Sequence, residues 1–143
     1  LKSVKRRFLT GIKRYGGIKE GTAMTKGQAE ARISEAISKF EMEHMGRGPE
    51  KIRTIIFQDL IIVRIKGFLS KAETNLAVNR EGIDLIKKVR AALFENSREG
   101  LEEAIQSILD AKVISTYSDV STQTGEKLIG IVVDRDLEAQ FTK

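Results

Sequence analysis

The chain has 143 residues, of which 41% are hydrophobic and 31% charged, with one proline and no cysteine. That is enough chain to bury a core without disulfide or metal, and too apolar for a disordered segment. The missing cysteine excludes a disulfide scaffold, a thiolate zinc site, an iron–sulfur cluster and a cysteine nucleophile. With His44 as the single histidine, no metal and no cofactor is expected.

The net charge of +5 is unevenly spread. Residues 1–23 carry seven Lys or Arg against Glu20 alone, so the other 120 residues come to a net −1. A domain near neutrality has no field to attract a phosphate backbone, so nucleic acid is a disfavoured partner. Aromatic residues make up only 6% and none is interleaved among basic strand positions, which speaks against an RNA-stacking sheet. No apolar run approaches the ~18 residues of a membrane helix, and no signal-type core follows the basic start. The expected location is the cytoplasm, at most peripheral to a membrane.

In residues 1–15, Val4, Phe8, Ile12 and Tyr15 line one helical face, with Leu9 beside them and Lys and Arg on the rest. Such a basic amphipathic helix would lie on an anionic membrane surface or an acidic partner. Gly16-Gly17 stops the pattern, and Met24 stands like a start before a capped helix. Residues 1–23 are therefore read as an appended or flexible basic segment, with a surface-binding arm as the alternative, apart from a single domain over 24–143.

Thr25 with Gln28 forms a capping box, and Ala29, Ile33, Ala36, Ile37 and Phe40 then recur at helical period to about Met45. Gly46-Arg47-Gly48-Pro49 ends that helix. The β-branched stretch from Ile52 to Lys66, interrupted by Gln58-Asp59, predicts strands over 51–57 and 60–67, closed by Gly67. Ser70 with Glu73 is a second capping box, for a short helix reaching Val78. Asn79 caps a further helix through Phe94, and Ser97 a third segment through Leu109, with Asn96-Ser97 as the break. Lys112–Val120 alternates, with Ile114, Thr116 and Ser118 on one side; Leu128–Val133 is its partner across a turn at Gly125. The order α-ββ-α(α)α-ββ predicts an α+β two-layer sandwich, a four-stranded mainly antiparallel sheet with helices on one face.

From Met24 to about Glu138 the chain resembles the MpsC-like family. The resembling residues are Gly46-Arg47-Gly48-Pro49 with Arg53-Thr54, then Asp59, then Gly67, Leu69-Ser70, Ala72-Glu73 and Leu76, then Asp119-Val120-Ser121-Thr122, Thr124-Gly125-Glu126. Ala111-Lys112 departs from the glycine expected before the third strand. The resemblance implies a small accessory subunit of a sodium-translocating, membrane-potential-generating system related to inorganic-carbon uptake. It brings no catalytic residues.

Two loops carry candidate sites. Gly46, Arg47, Gly48 and Arg53 form a candidate anion site, because glycines free backbone N–H groups and arginines bond anions in pairs. The loop is not a P-loop, since no Lys-Ser/Thr pair follows. The bland alternative is a helix-end turn whose arginine pairs with Asp119 or Asp59. Asp119, Ser121, Thr122, Thr124 and Glu126 form a polar turn cluster that suits either a hard cation or, more simply, local Asx and ST turns. His44 reads as structural, and Ser70 and Ser121 lack a histidine partner. No catalytic residue is expected. The expected function is binding, as an accessory subunit of a sodium- or bicarbonate-linked membrane system with a transporter subunit as partner. The rivals are nucleic-acid binding through the basic arm and a small-anion enzyme at Arg47 and Arg53. A homodimer is expected as well, because the first hairpin is apolar on both faces and one helical layer covers only one; Ile56 and Ile62 are the residues expected on the open side.

Overall fold

The computed structural model describes residues 24–141. The readings of residues 1–15 and 1–23 lie outside the described residues.

Helix α1, Lys26–Met45, starts from the expected capping box: Thr25 Oγ1 accepts from the Gln28 N–H at 3.1 Å, and Gln28 Oε1 accepts from the Thr25 N–H at 2.9 Å. It stops at Gly46, whose φ of 86° is the left-handed conformation that glycine takes without a Cβ clash. Strands β1, Lys51–Phe57, and β2, Leu60–Lys66, pair in antiparallel register through a two-residue turn. The short helix α2, Lys71–Leu76, carries the Ser70–Glu73 capping box. Helix α3 runs over Arg80–Leu109 from an Asn79 cap. Strands β3, Val113–Ser121, and β4, Glu126–Val133, form the second hairpin, with Gly125 at a φ of 74°. The sheet order is β1-β2-β4-β3 and every pairing is antiparallel, so the hairpins meet through β2 and β4. This is the α+β architecture read from the sequence, in the order α-ββ-α-α-ββ.

Three local expectations are corrected. Helix α3 does not break at Asn96-Ser97. Neither residue is a Gly or Pro, and their propensity cost is a few tenths of a kcal/mol. The Ser97 hydroxyl donates to the Leu93 carbonyl one turn back, and Arg98 bridges Glu95 and Glu102, so the junction is tied from both sides. Ile114 does not share a face with Thr116, because a bulge between Val113 and Ser115 resets the alternation and leaves Ile114 exposed. Ile56 does not stand on the open side. It pairs with Ile61 in the core, and its neighbour Ile55, paired with Ile62, takes the outward place.

The core lies between the sheet and the helices. Ile33, Ile37 and Phe40 of α1, with Leu101 and Ile105 of α3, pack on Ile61, Val63, Ile129 and Ile131 of the central strands. Gly82 allows the close α2–α3 corner, since a Cβ there would collide with the Leu76 carbonyl. The chain's end latches the sheet: Leu137 is buried, its N–H donates to the Gln58 carbonyl, and Glu138 accepts from the Gln58 N–H and from Lys26.

Candidate functional site

Alternation along each strand gives the sheet two unlike faces. The inward face meets the helices: the Thr54 hydroxyl bonds Ser34 of α1 at 2.7 Å, and Thr116 donates to Glu102 of α3 at 2.7 Å. The outward face carries no described element over its centre. Its residues fall into four rows across the strands: Phe57–Leu60–Val132–Ser115, Ile55–Ile62–Gly130–Tyr117, Arg53–Arg64–Leu128–Asp119 and Lys51–Lys66–Glu126–Ser121. The first two rows are apolar and the last two charged. Glu126 accepts from Arg64 Nε at 2.6 Å and lies 4.0 Å from Lys66. Lys51 and Arg53 have no salt bridge among the described residues.

The inward face holds charge too. Lys127 and Glu41 are 1% and 2% exposed and meet at 2.7 Å. The Lys127 ammonium also lies 5.2 Å from the centre of the Phe94 ring, a cation–π distance. Burial pushes the Lys127 pKa down and Arg90 adds to this, while Glu41 opposes it. Arg90 is itself buried and clasps the Glu73 carboxylate with two N–H groups, at 2.6 and 2.8 Å, while donating to the Phe68 carbonyl at 3.0 Å. Partial burial works to raise the Glu73 pKa, but hydrogen bonds from Arg90 and Ser70, with the Arg90 charge, hold it below its ordinary value. These two pairs pin α1, α2, α3 and β4 together. The Lys127–Glu41 pair is shut away from water, whereas the Glu73 carboxylate keeps an edge in solvent, with its side chain 23% exposed.

A third feature is the outer side of α3. Leu85, Val89 and Leu93, spaced by one turn each, are exposed, and Leu76 and Val78 stand exposed beside them. A cleft of about 530 Å³ opens between Leu76, Val78, Gly82 and Leu85.

The loop residues singled out in the sequence do not converge. Gly46 is the helix cap, Gly48 lies under Met42, and Arg47 reaches Glu50 at 3.9 Å. Arg53 stands on the outward face opposite Arg64. Asp119 is in the same row as Arg53 at the far edge of the sheet, three strand spacings or about 14 Å away. Among the described residues no arginine pairs with Asp119, and its carboxylate accepts from the Val120 N–H. In the turn, Ser121 Oγ accepts from Thr124 N at 3.2 Å, Glu126 faces Arg64, and Thr122 is half-buried. The Gly125 carbonyl accepts from the Gly67 and Phe68 N–H groups, joining the two loop ends. His44 stacks on Phe40 at 4.7 Å between centroids. Among the described residues no group of three or more His, Asp or Glu gathers as a metal site, and no helix is long and apolar enough to cross a membrane.

The buried ion pair leaves a signal in the sequence. Lys127 occupies the inward step of Lys127, Ile129, Ile131, Val133, and Glu41 follows Ile37 by four on the apolar side of α1. A lysine and a glutamate that both fall on core positions call for each other.

Comparison with known proteins adds a family. Two relatives from Bacillus subtilis (strain 168) align along most of their length. The uncharacterized protein YbcI is 38% identical over 119 residues, which cover 83% of this chain and 96% of that one. The uncharacterized protein YrhF is 27% identical over 113 residues, covering 76% and 89%. No solved structure matches. Residues 25–135, nearly all of the described elements, match the family described as "Na+-translocating membrane potential-generating system (MpsC)", and the chain belongs to that family.

Proposed function

We propose that the protein is a non-catalytic accessory subunit that binds a membrane-embedded partner within a sodium-translocating, membrane-potential-generating system. The family match supports the system. The observation that carries the binding role is the outer stripe of α3, where Leu85, Val89 and Leu93 repeat at one-turn spacing beside Leu76 and Val78. A stripe with this period seats a partner helix by its own apolar ridge. The rival small-anion enzyme would rest on Arg47, whose Nε is buried without a hydrogen-bond partner and whose nearest carboxylate is Glu50 at 3.9 Å, while Arg53 stands on the outward face of the sheet opposite Arg64.

The test is genetic and electrical. In a strain lacking the gene, sodium-dependent membrane potential is followed with a potential-sensitive dye. Expected are a reduced potential, its recovery with the wild-type gene, and no recovery with Val89→Glu at equal protein level. A potential that is the same with and without the gene overturns the reading.

A further inference from the structure

The outward face of the sheet is self-complementary, and we infer that it docks a second copy of this chain, face to face, about a two-fold axis parallel to the strands and midway between β2 and β4. This inference stands apart from the proposed role and uses a different surface.

Rotation about that axis exchanges β1 with β3 and β2 with β4 and keeps each row opposite its own counterpart. In the row Arg53–Arg64–Leu128–Asp119, Arg53 then faces the second copy's aspartate at that position, and Arg64 faces its leucine. In the row Lys51–Lys66–Glu126–Ser121, Lys66 faces a glutamate and Lys51 a serine. No like charges oppose one another. The apolar rows match by size: Phe57 lies over Ser115, and Ile62 over Gly130, whose missing side chain leaves room bordered by the same chain's Ile62. Arg53, which has no salt bridge within its own chain among the described residues, gains a carboxylate, and so does Asp119 a cation.

The other face-to-face arrangement, with the axis across the strands, sets the charged rows over Phe57, Leu60, Ile55 and Ile62. It would desolvate four cations against apolar groups, Arg64 and Lys66 with only Glu126 between them and Lys51 and Arg53 with no salt bridge among the described residues, and is rejected on that ground. Aligned sheets also pack at about 30° from their twist, which shifts the rows without changing which edge meets which. The face spans about 19 Å by 23 Å at ordinary strand and residue spacings, which is small for a permanent interface, so the dimer is a weak, concentration-dependent one.

Sedimentation equilibrium of the full chain from about 1 to 100 μM tests this. The expected mass rises from near 16.0 kDa towards twice that value. Ile55→Glu and Ile62→Glu should hold the mass at the monomer value with the thermal transition retained. Ile55 is already 46% exposed, so its variant remains informative where Ile62→Glu fails to fold. The axis is tested by charge. Arg53→Asp and Asp119→Arg should each weaken the dimer about tenfold or more, and the double variant should restore it. A monomer throughout the range overturns the inference and leaves the face to residues 1–23 or another protein. A dimer that survives Ile55→Glu lies on another surface and overturns it equally. Failure of the double variant to recover overturns the axis.

Discussion

Strand β4 shows the two faces of the sheet side by side. Its Lys127 points inward and is held by Glu41, out of water; its Glu126 points outward, partly exposed, and is held by Arg64, whose side chain is 54% exposed. Both are ion pairs between elements distant in sequence. Yet their energetic meaning is opposite. The inward pair was desolvated at a cost of several kcal/mol per ion, so each partner is hostage to the other. The outward pair loses little if it parts, because water takes over. The inward face therefore specifies the fold, and the outward face is left free to be shaped for contact.

Glu41→Ala sharpens this contrast most. It strands Lys127 beneath Phe94 and Arg90 and should cost about 3–5 kcal/mol in urea denaturation. The double change Glu41→Leu with Lys127→Met should recover most of that loss, since apolar replacements of buried pairs are often neutral or better. A Glu41→Ala protein of unchanged stability would mean that Lys127 escapes to water and that the inward face is not sealed.

Next comes a pair of neighbours. Ile56 is 1% exposed and Ile55 46%. Ile56→Ala should cost about 2–5 kcal/mol by cavity formation, whereas Ile55→Ala, measured at submicromolar concentration, should cost under about 1 kcal/mol. Equal effects would break the two-face description.

How far the sequence carries is visible in these same neighbours. The helix starts at Thr25 and Ser70, the αL stop at Gly46 and both hairpins were legible, because each depends on chemistry within three or four residues. The facing of Ile55 and Ile56 was not. Within the apolar run itself the alternation is silent, and the parity is carried only by its flanks: Lys51 and Arg53 share the outward side with Ile55, and Arg64 and Lys66 with Ile62, while the polar Thr54 sits inward against Ser34. The break proposed at Ser97 failed for a related reason. Its cap signal is local, but the continuity of α3 is held by Arg98 and by burial of Leu101 and Ile105 on the sheet. The anion site rests on two arginines near in sequence, of which only Arg53 is on a strand, set by the pleat on the outward face opposite Arg64, while Arg47 stays in the loop near Glu50.

Acid should reveal the second inward pair. Glu73 has its pKa lowered on folding, so it contributes stability that is present above the unfolded value of 4.5 and lost as the pH falls through the folded one. Thermal midpoints of the wild type should therefore drop on acidification through and below that region. Glu73→Gln should start lower at neutral pH and lose less on the way down. Parallel curves would show that Arg90 does not depend on the Glu73 charge.

The smallest effect is expected on the outward face, at Arg64→Ala. Arg64 is directly opposite Arg53 in the sheet register, a like-charge pair that works against the fold. It is also bonded to Glu126, which works for it. Removing Arg64 relieves the first and forfeits the second, and Lys66, already 4.0 Å from Glu126, remains to neutralise the carboxylate. With the side chain 54% exposed, water and salt screen both terms. The net change at submicromolar concentration should fall within about 1 kcal/mol of zero by denaturant titration. A loss above about 2 kcal/mol would place the outward pair in the same class as Lys127–Glu41, and the sheet would then have two structural faces instead of one.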